Sequence, residues 1–250
     1  MIKSIQKPIF FSLSTATFLL ASLSATPAYA LSVTVGTNSN TGNCFPYSCY
    51  VIVGNNTYQE AYASSAFPSA PITINSFDLF ASMNATFGDP LDTASFDVYF
   101  STSNFTVNAL SSTFANNIGA DNSLFGTFSL SGNMQPVTTF TATTPFTYDP
   151  SQGDLLMHAV RTSGTTDNSF GPFFQSDNTG SFVVSRVYGN SPTGIYSPVG
   201  ALVTRFNFTP ATSSVPGPLP FLGVAAAFSY SRKLRKRIQT CKLPVNSAIG

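Results

Sequence analysis

Phe96-Asp97-Val98-Tyr99-Phe100 sets apolar side chains at 96, 98 and 100 with a carboxylate and a phenol between them, the period-two pattern of a strand with one buried face. The same reading extends to Ile72-Thr73-Ile74, Phe128-Ser129-Leu130, Phe182-Val183-Val184 and the run from Leu202 to Phe208, where Leu202, Phe206 and Phe208 share a face. Turn chemistry separates these runs: Gly88-Asp89-Pro90, Ser131-Gly132-Asn133, Asp149-Pro150, Gly171-Pro172, Asp177-Asn178-Thr179-Gly180 and Gly189-Asn190-Ser191-Pro192. Short strands, frequent turns and almost no helical periodicity predict an all-β chain with one β-sandwich or jelly-roll-like domain over 31–208. One stretch departs from this pattern. Tyr58-Gln59-Glu60-Ala61-Tyr62-Ala63-Ser64-Ser65-Ala66-Phe67 is expected to form one or two helical turns that close an end of the sandwich.

About 180 residues are enough for one domain with a full core, and the chain's 24 phenylalanines supply the apolar area. No repeat of fixed period is visible, and no linker precedes Thr209. The near-neutral total of 11 basic and 10 acidic residues hides a partition. All the acids lie between Glu60 and Asp177, whereas the body carries only Arg161, Arg186 and Arg205, so 31–214 has a net charge of −7 and no lysine. An acidic body argues against nucleic acid as a partner, because phosphate binding depends on Lys and Arg.

Residues that could carry chemistry are few. His158 is the chain's one histidine, in the apolar run Leu155-Leu156-Met157-His158-Ala159-Val160. A Ser-His-Asp hydrolase needs one such base, but no Gly-x-Ser-x-Gly elbow accompanies it, so a strand histidine at the edge of the core is the plainer reading. Glycoside hydrolysis needs two carboxylates facing one sugar bond, and Glu60 with nine aspartates singles out no pair. Asp89, Asp92, Asp121, Asp149, Asp167 and Asp177 read as turn residues capping their own backbone. No cofactor is expected, although loop Asp, Asn and carbonyl oxygens could hold calcium. Each arginine could grip an anionic sugar or pair with an aspartate on the next strand, and Tyr188 and Tyr196 could stack on sugar rings. Cys44 and Cys49 are close enough for a local disulfide in an oxidising compartment, the alternative being free thiols. Neither metal nor redox chemistry is indicated there, since no histidine or second cysteine pair lies nearby.

The two ends are more explicit. Residues 1–30 combine Lys3 and Lys7, an apolar run from Ile9 to Leu23, and the small-x-small site of Ala28 and Ala30, which reads as a secretory signal peptide cut after Ala30 or, alternatively, as an uncleaved anchor. At the other end, Val215-Pro216-Gly217-Pro218 is a stiff, extended motif within the linker 209–218. An apolar run from Leu219 to Tyr230 follows, then Arg232, Lys233, Arg235, Lys236 and Arg237. The run alone reaches about 18 Å against a bilayer core of about 30 Å. With the basic stems snorkelling, a helix from Pro220 to Ile238 within the membrane segment 219–238 reaches about 28 Å, enough to span with its cations on the cytoplasmic side. A short buried helix or a free basic tail are the alternatives, and 239–250 forms a C-terminal tail with Cys241.

Motif, apolar run and basic cluster in that order resemble the PEP-CTERM sorting signal in its cyanobacterial variant, with Gly217 where the common form has Glu. The body resembles exported PEP-CTERM proteins of unassigned activity in Tyr58-Gln59-Glu60-Ala61-Tyr62, in Pro71-Ile72-Thr73-Ile74, in Phe146-Thr147-Tyr148-Asp149-Pro150 with Gly153-Asp154-Leu155-Leu156, and in Ser185-Arg186-Val187-Tyr188. The resemblance implies a β-sandwich, an exosortase (a membrane-embedded, transpeptidase-like enzyme) as partner, and cleavage near the motif. Taken together, the expectation is a non-enzymatic cell-surface or exopolysaccharide-matrix protein, associated with the membrane at least transiently and in contact with extracellular polysaccharide. The competing expectation is a carbohydrate-active hydrolase on the same scaffold.

Overall fold

The computed structural model describes residues 30–47, 56–83, 91, 94–164 and 173–211. In chain order the strands are β1 (Leu31–Val35), β2 (Thr41–Asn43), β3 (Asn56–Tyr62), β4 (Ile72–Phe80), β5 (Ser95–Thr102), β6 (Ser123–Ser129), β7 (Val137–Tyr148), β8 (Leu155–Ser163), β9 (Phe174–Asp177), β10 (Val184–Asn190), β11 (Ile195–Ser197), β12 (Ala201–Leu202) and β13 (Thr204–Pro210). Helical structure among these residues is limited to α1 (Phe114–Asn117) and 3₁₀ turns at Ser64–Ala66 and Pro150–Gln152. The described residues are mostly β-strand, consistent with the all-β fold that the periodicity predicts.

The strands form a four-stranded sheet β1-β13-β4-β7, a six-stranded sheet β11-β10-β3-β8-β5-β6 and a small third sheet β12-β9-β2, with every pairing antiparallel. The two larger sheets enclose one aromatic core in a sandwich-like arrangement. Phe100 of β5 reaches across, its ring 5.9 Å from Phe146 and 6.0 Å from Phe77 and Phe206 of the opposing sheet. Phe77 and Phe140 stack at 4.6 Å with an interplanar angle of 6°. Offset and edge-on geometries of this kind add favourable quadrupole contacts to the burial itself.

Two bulges shape the core and one edge. Between Val98↔Gly126 and Tyr99↔Leu124, β6 carries one extra residue, Phe125, which turns inward and meets Phe100 at 4.8 Å. Phe125 and Phe128 therefore both reach the core from one short strand. In β7, Thr141 pairs with Ser76 and Phe146 with Ile74, so four residues of β7 lie opposite the single Asn75. That irregularity, with Pro145 inside it, blunts the free edge of the four-stranded sheet against further strand pairing.

A second, smaller core lies on the outer face of the six-stranded sheet, where Val107, Leu110 and Phe114 of the β5–β6 connection cover Ala61, Leu156 and Val187. Polar groups buried there are bonded: Gln59 Nε2 donates to the Phe114 carbonyl at 3.0 Å, and Asn117 Nδ2 donates to Gln59 Oε1 at 2.8 Å. Burial on both faces explains the main departure from expectation. Residues 58–62 belong to β3 rather than to helical turns, and only Ser64–Ala66 is helical, as a 3₁₀ turn. A strand covered on both sides shows no polar-apolar alternation, so its period was masked. Two smaller corrections concern strand bounds. Val203 separates Leu202, in β12, from β13, and Phe182 is a turn residue with φ of 60° and 58% exposure, the strand beginning only at Val184.

Candidate functional site

Glu60 stands out chemically. It sits at the middle of β3, fully buried, with Tyr58 and Tyr62 on the same inward face. Its Oε2 accepts from the Tyr58 hydroxyl and, at 2.9 Å, from the Leu202 N–H, while Oε1 has no partner. Burial drives its pKa up to about 7, against the pull of the Tyr58, Leu202 and Tyr62 hydrogen bonds and of the Arg186 charge. Burial also holds the Tyr47, Tyr58 and Tyr62 phenols far above their usual range, with the Glu60 charge adding to the effect. Arg186 lies opposite Glu60 in the β3–β10 register without forming an ion pair. Its Nε donates to the Val199 carbonyl at 3.1 Å, its guanidinium lies 4.6 Å from the Tyr188 ring centre, and its Nη1 is buried without a partner. In the sequence Glu60 is one acid among ten, and the signal that sets it apart is local: read with period two, Tyr58-Gln59-Glu60-Ala61-Tyr62 puts one carboxyl between two phenols.

The other acids among the described residues are committed to the fold. Asp177 Oδ2 accepts from the Thr37 N–H at 2.9 Å and the Ser181 hydroxyl at 3.1 Å, and Oδ1 from the Thr179 N–H and hydroxyl, tying the β1–β2 loop to the turn after β9. Asp149 caps the turn at Ser151, as expected of a turn aspartate. Asp121, expected to cap its own turn, instead receives the Thr102 N–H and hydroxyl. Asp154 joins two segments by accepting from the Ser64 and Val107 N–H groups, both at 2.8 Å. Asp78 pairs with Arg205 of the adjacent strand at 2.8 Å, the strand-to-strand pairing anticipated for an arginine of this body. Arg161 donates to the Ser163 and Gly164 carbonyls at the end of its own strand. Asp89, Asp92 and Asp167 lie outside the described residues.

His158 occupies the outer face of β8, half-buried, with Nδ1 3.1 Å from Gln59 Nε2 and its ring 5.9 Å from that of Tyr99. Burial lowers its pKa to about 4, so it is neutral at pH 7. Among the described residues, no group of three His, Cys, Asp or Glu side chains could hold a metal ion. A cleft of about 260 Å³ opens between β6 and β7, with Leu91, Phe128, Leu130 and Phe140 as its apolar lining and Thr127, Ser129, Ser131, Thr138 and Thr139 as its hydroxyl-bearing one. This surface has no ionisable side chain and can offer hydrogen bonds and an aromatic contact to a small neutral group.

Of the residues singled out at the two ends, Ala30 is exposed and directly precedes β1, and Cys44 is half-buried behind β2. Ala28, Cys49, Val215, Pro216, Gly217, Pro218, Arg232, Lys233, Arg235, Lys236 and Arg237 lie outside the described residues, as does the expected helix 219–238. No helix among the described residues is long and apolar enough to cross a membrane. Comparison with known proteins returns no match, whether to a protein-family model, a curated sequence or a solved structure.

Proposed function

We propose that the protein is a non-enzymatic, exported cell-surface or matrix component, delivered by its C-terminal sorting signal and carrying a jelly-roll domain. The observation that carries this reading is the pairing of Leu31 with Phe208. Leu31, the first residue after the expected signal site, lies beside Phe208 near the end of β13, so the two ends of the described domain come together at one pole. A domain tethered from there presents its opposite pole, with the β1–β2 loop, the turn after β9 and the β6–β7 cleft, away from the membrane. The strand order supports the jelly roll. With β1, β3, β4, β5, β6, β7, β8 and β13 numbered one to eight, the sheets run 1-8-3-6 and 2-7-4-5, the interleaving of two Greek keys. Strands β9 to β12 are then an insertion before the last strand.

The uncharged cleft at the outward pole suits a neutral polysaccharide better than an anionic one, which the acidic body would repel. A local bridge between Cys44 and Cys49 fits a domain exported to an oxidising compartment. Mass spectrometry of the protein recovered from cells tests the proposal. A mature N-terminus at Leu31 and a C-terminus near Pro216–Pro218 are expected. A reporter fused after Phe208 that stays in the cytosol would refute export and the surface role with it.

A further inference from the structure

The turn from Ser197 to Val203 joins β11 to β13 through the two-residue strand β12, and polar side chains, the buried Asn43 and Glu60 and the half-buried Arg186, grip it from several directions. Arg186 of β10 donates to the Val199 carbonyl at 3.1 Å, Asn43 of β2 donates to the Gly200 carbonyl at 2.8 Å, and Glu60 of β3 receives the Leu202 N–H at 2.9 Å. Backbone bonds from Gly200 to Asp177 and from Val203 to Gln175 complete the attachment. Gly200 has φ of 78°, and a Cβ there would collide with Arg186 Nη2, so the turn lies directly against the guanidinium.

Three of the buried polar atoms without a hydrogen-bond partner belong to this cluster: Glu60 Oε1, Tyr47 Oη and Arg186 Nη1. Unpaired buried polar atoms are costly, and their concentration in one place marks a spot where the fold is poised rather than fully satisfied. Of these three groups, Glu60 is the carboxyl, and its charge state decides how much water it demands.

We propose that the Ser197–Val203 turn is a proton-gated strap: Glu60 in its neutral form closes it against β3 and β10, and loss of the proton releases it so that water can reach the carboxylate. The groups facing Glu60 leave it no better solution. Tyr58 and Tyr62 come from β3, Tyr47 from the segment after β2 and Arg186 from β10, with the uncharged Met157 of β8 in the neighbouring register position and Thr204 of β13 engaged by Tyr62. Arg186 is the one cation in this set and makes no ion pair with Glu60, being committed to Val199 and Tyr188. The strap is the thinnest cover, since β12 pairs only with β9, whereas β3 is paired on both sides.

The sign of the effect is fixed by linkage. Between the ordinary value of 4.5 and the folded value of about 7, the opened form is ionised while the closed form keeps its proton. Opening therefore rises by about tenfold per pH unit across that window and levels off above it. Hydrogen exchange from pH 5 to 8, corrected for intrinsic rates, reads this directly. Protection of the Gly200, Leu202 and Val203 amides is expected to fall along that curve, with Phe77 and Phe140 unchanged, and Glu60→Gln is expected to flatten it. The same curve in Glu60→Gln, or an equal loss of protection in both sheets, would overturn the strap. Should that variant not fold, titration of the Glu60 carboxyl by carbon NMR in the wild-type chain decides: a midpoint near 7 that coincides with the strap amides supports the proposal, and an ordinary midpoint refutes it.

Discussion

Replacing Phe100 by alanine removes the ring that joins the two sheets. Phe100 is fully buried and its ring lies 4.8 Å from Phe125, 5.9 Å from Phe146, and 6.0 Å from both Phe77 and Phe206. Three of those rings belong to the opposing sheet, so the cavity would open where the sandwich is held together. Truncating a buried Phe to Ala costs about 3–5 kcal/mol, and each lost ring pair adds about 0.5–1.5 kcal/mol beyond area. Relaxation of the surrounding rings offsets part of that, so a loss of about 4–5 kcal/mol is expected, a large fraction of the roughly 5–15 kcal/mol available to a domain. Urea unfolding followed by tyrosine fluorescence measures it, and at a slope near 2 kcal/mol/M the midpoint should move by about 2 M. Phe100→Leu, which keeps most of the volume, should cost about a third as much. Phe105→Ala, at a residue with 37% exposure outside the sandwich core, should stay within about 0.5 kcal/mol. A loss below about 1.5 kcal/mol for Phe100→Ala at constant slope would refute a core in which both sheets meet at this ring.

The remaining predictions concern charge. Asp78 is buried, which would raise its pKa, but the Asn207 and Arg205 hydrogen bonds outweigh burial and hold it below the usual range. Its contribution is therefore present above the ordinary carboxylate pKa and lost as pH falls through the lowered value, and Arg205→Met should cost about 2–3 kcal/mol at pH 7 but almost nothing in an Asp78→Asn background. Equal costs in the two backgrounds would show that the pair is not coupled. Asp177→Ala should destabilise by about 2–3 kcal/mol by stranding the Thr37 and Thr179 N–H groups, and hydrogen exchange should speed at 37–41 and 178–183 before it does elsewhere. His158 should titrate by proton NMR near 4. Because burial depresses this base, the stability it reports is complete above 6.5 and declines as pH falls towards 4, and His158→Gln should flatten that limb. A midpoint near 6.5 would show that the ring is solvated.

Residue order alone reveals the fold class, because a half-buried strand must alternate and Phe96 to Phe100 and Ile72 to Ile74 do so. It also located the turns at Asp149-Pro150 and Asp177 to Gly180, since those residues hydrogen-bond or pre-set their own backbone whatever surrounds them. Asp177 was legible as a turn former but not as the anchor of Thr37, which is 140 residues away in the chain. Tertiary structure alone decided that Tyr58 to Tyr62 is a strand, because it is covered on both faces and covering is a property of its neighbours. It alone decided the order of strands in each sheet, the inward turn of Phe125 at a bulge, and the pairing of Leu31 with Phe208 that brings the first and last strands of the described domain side by side. Above all it decided that Glu60 is different from the other acids: an ionisable group takes its character from the water it loses and the partners it gains, and both depend on residues as distant as Leu202.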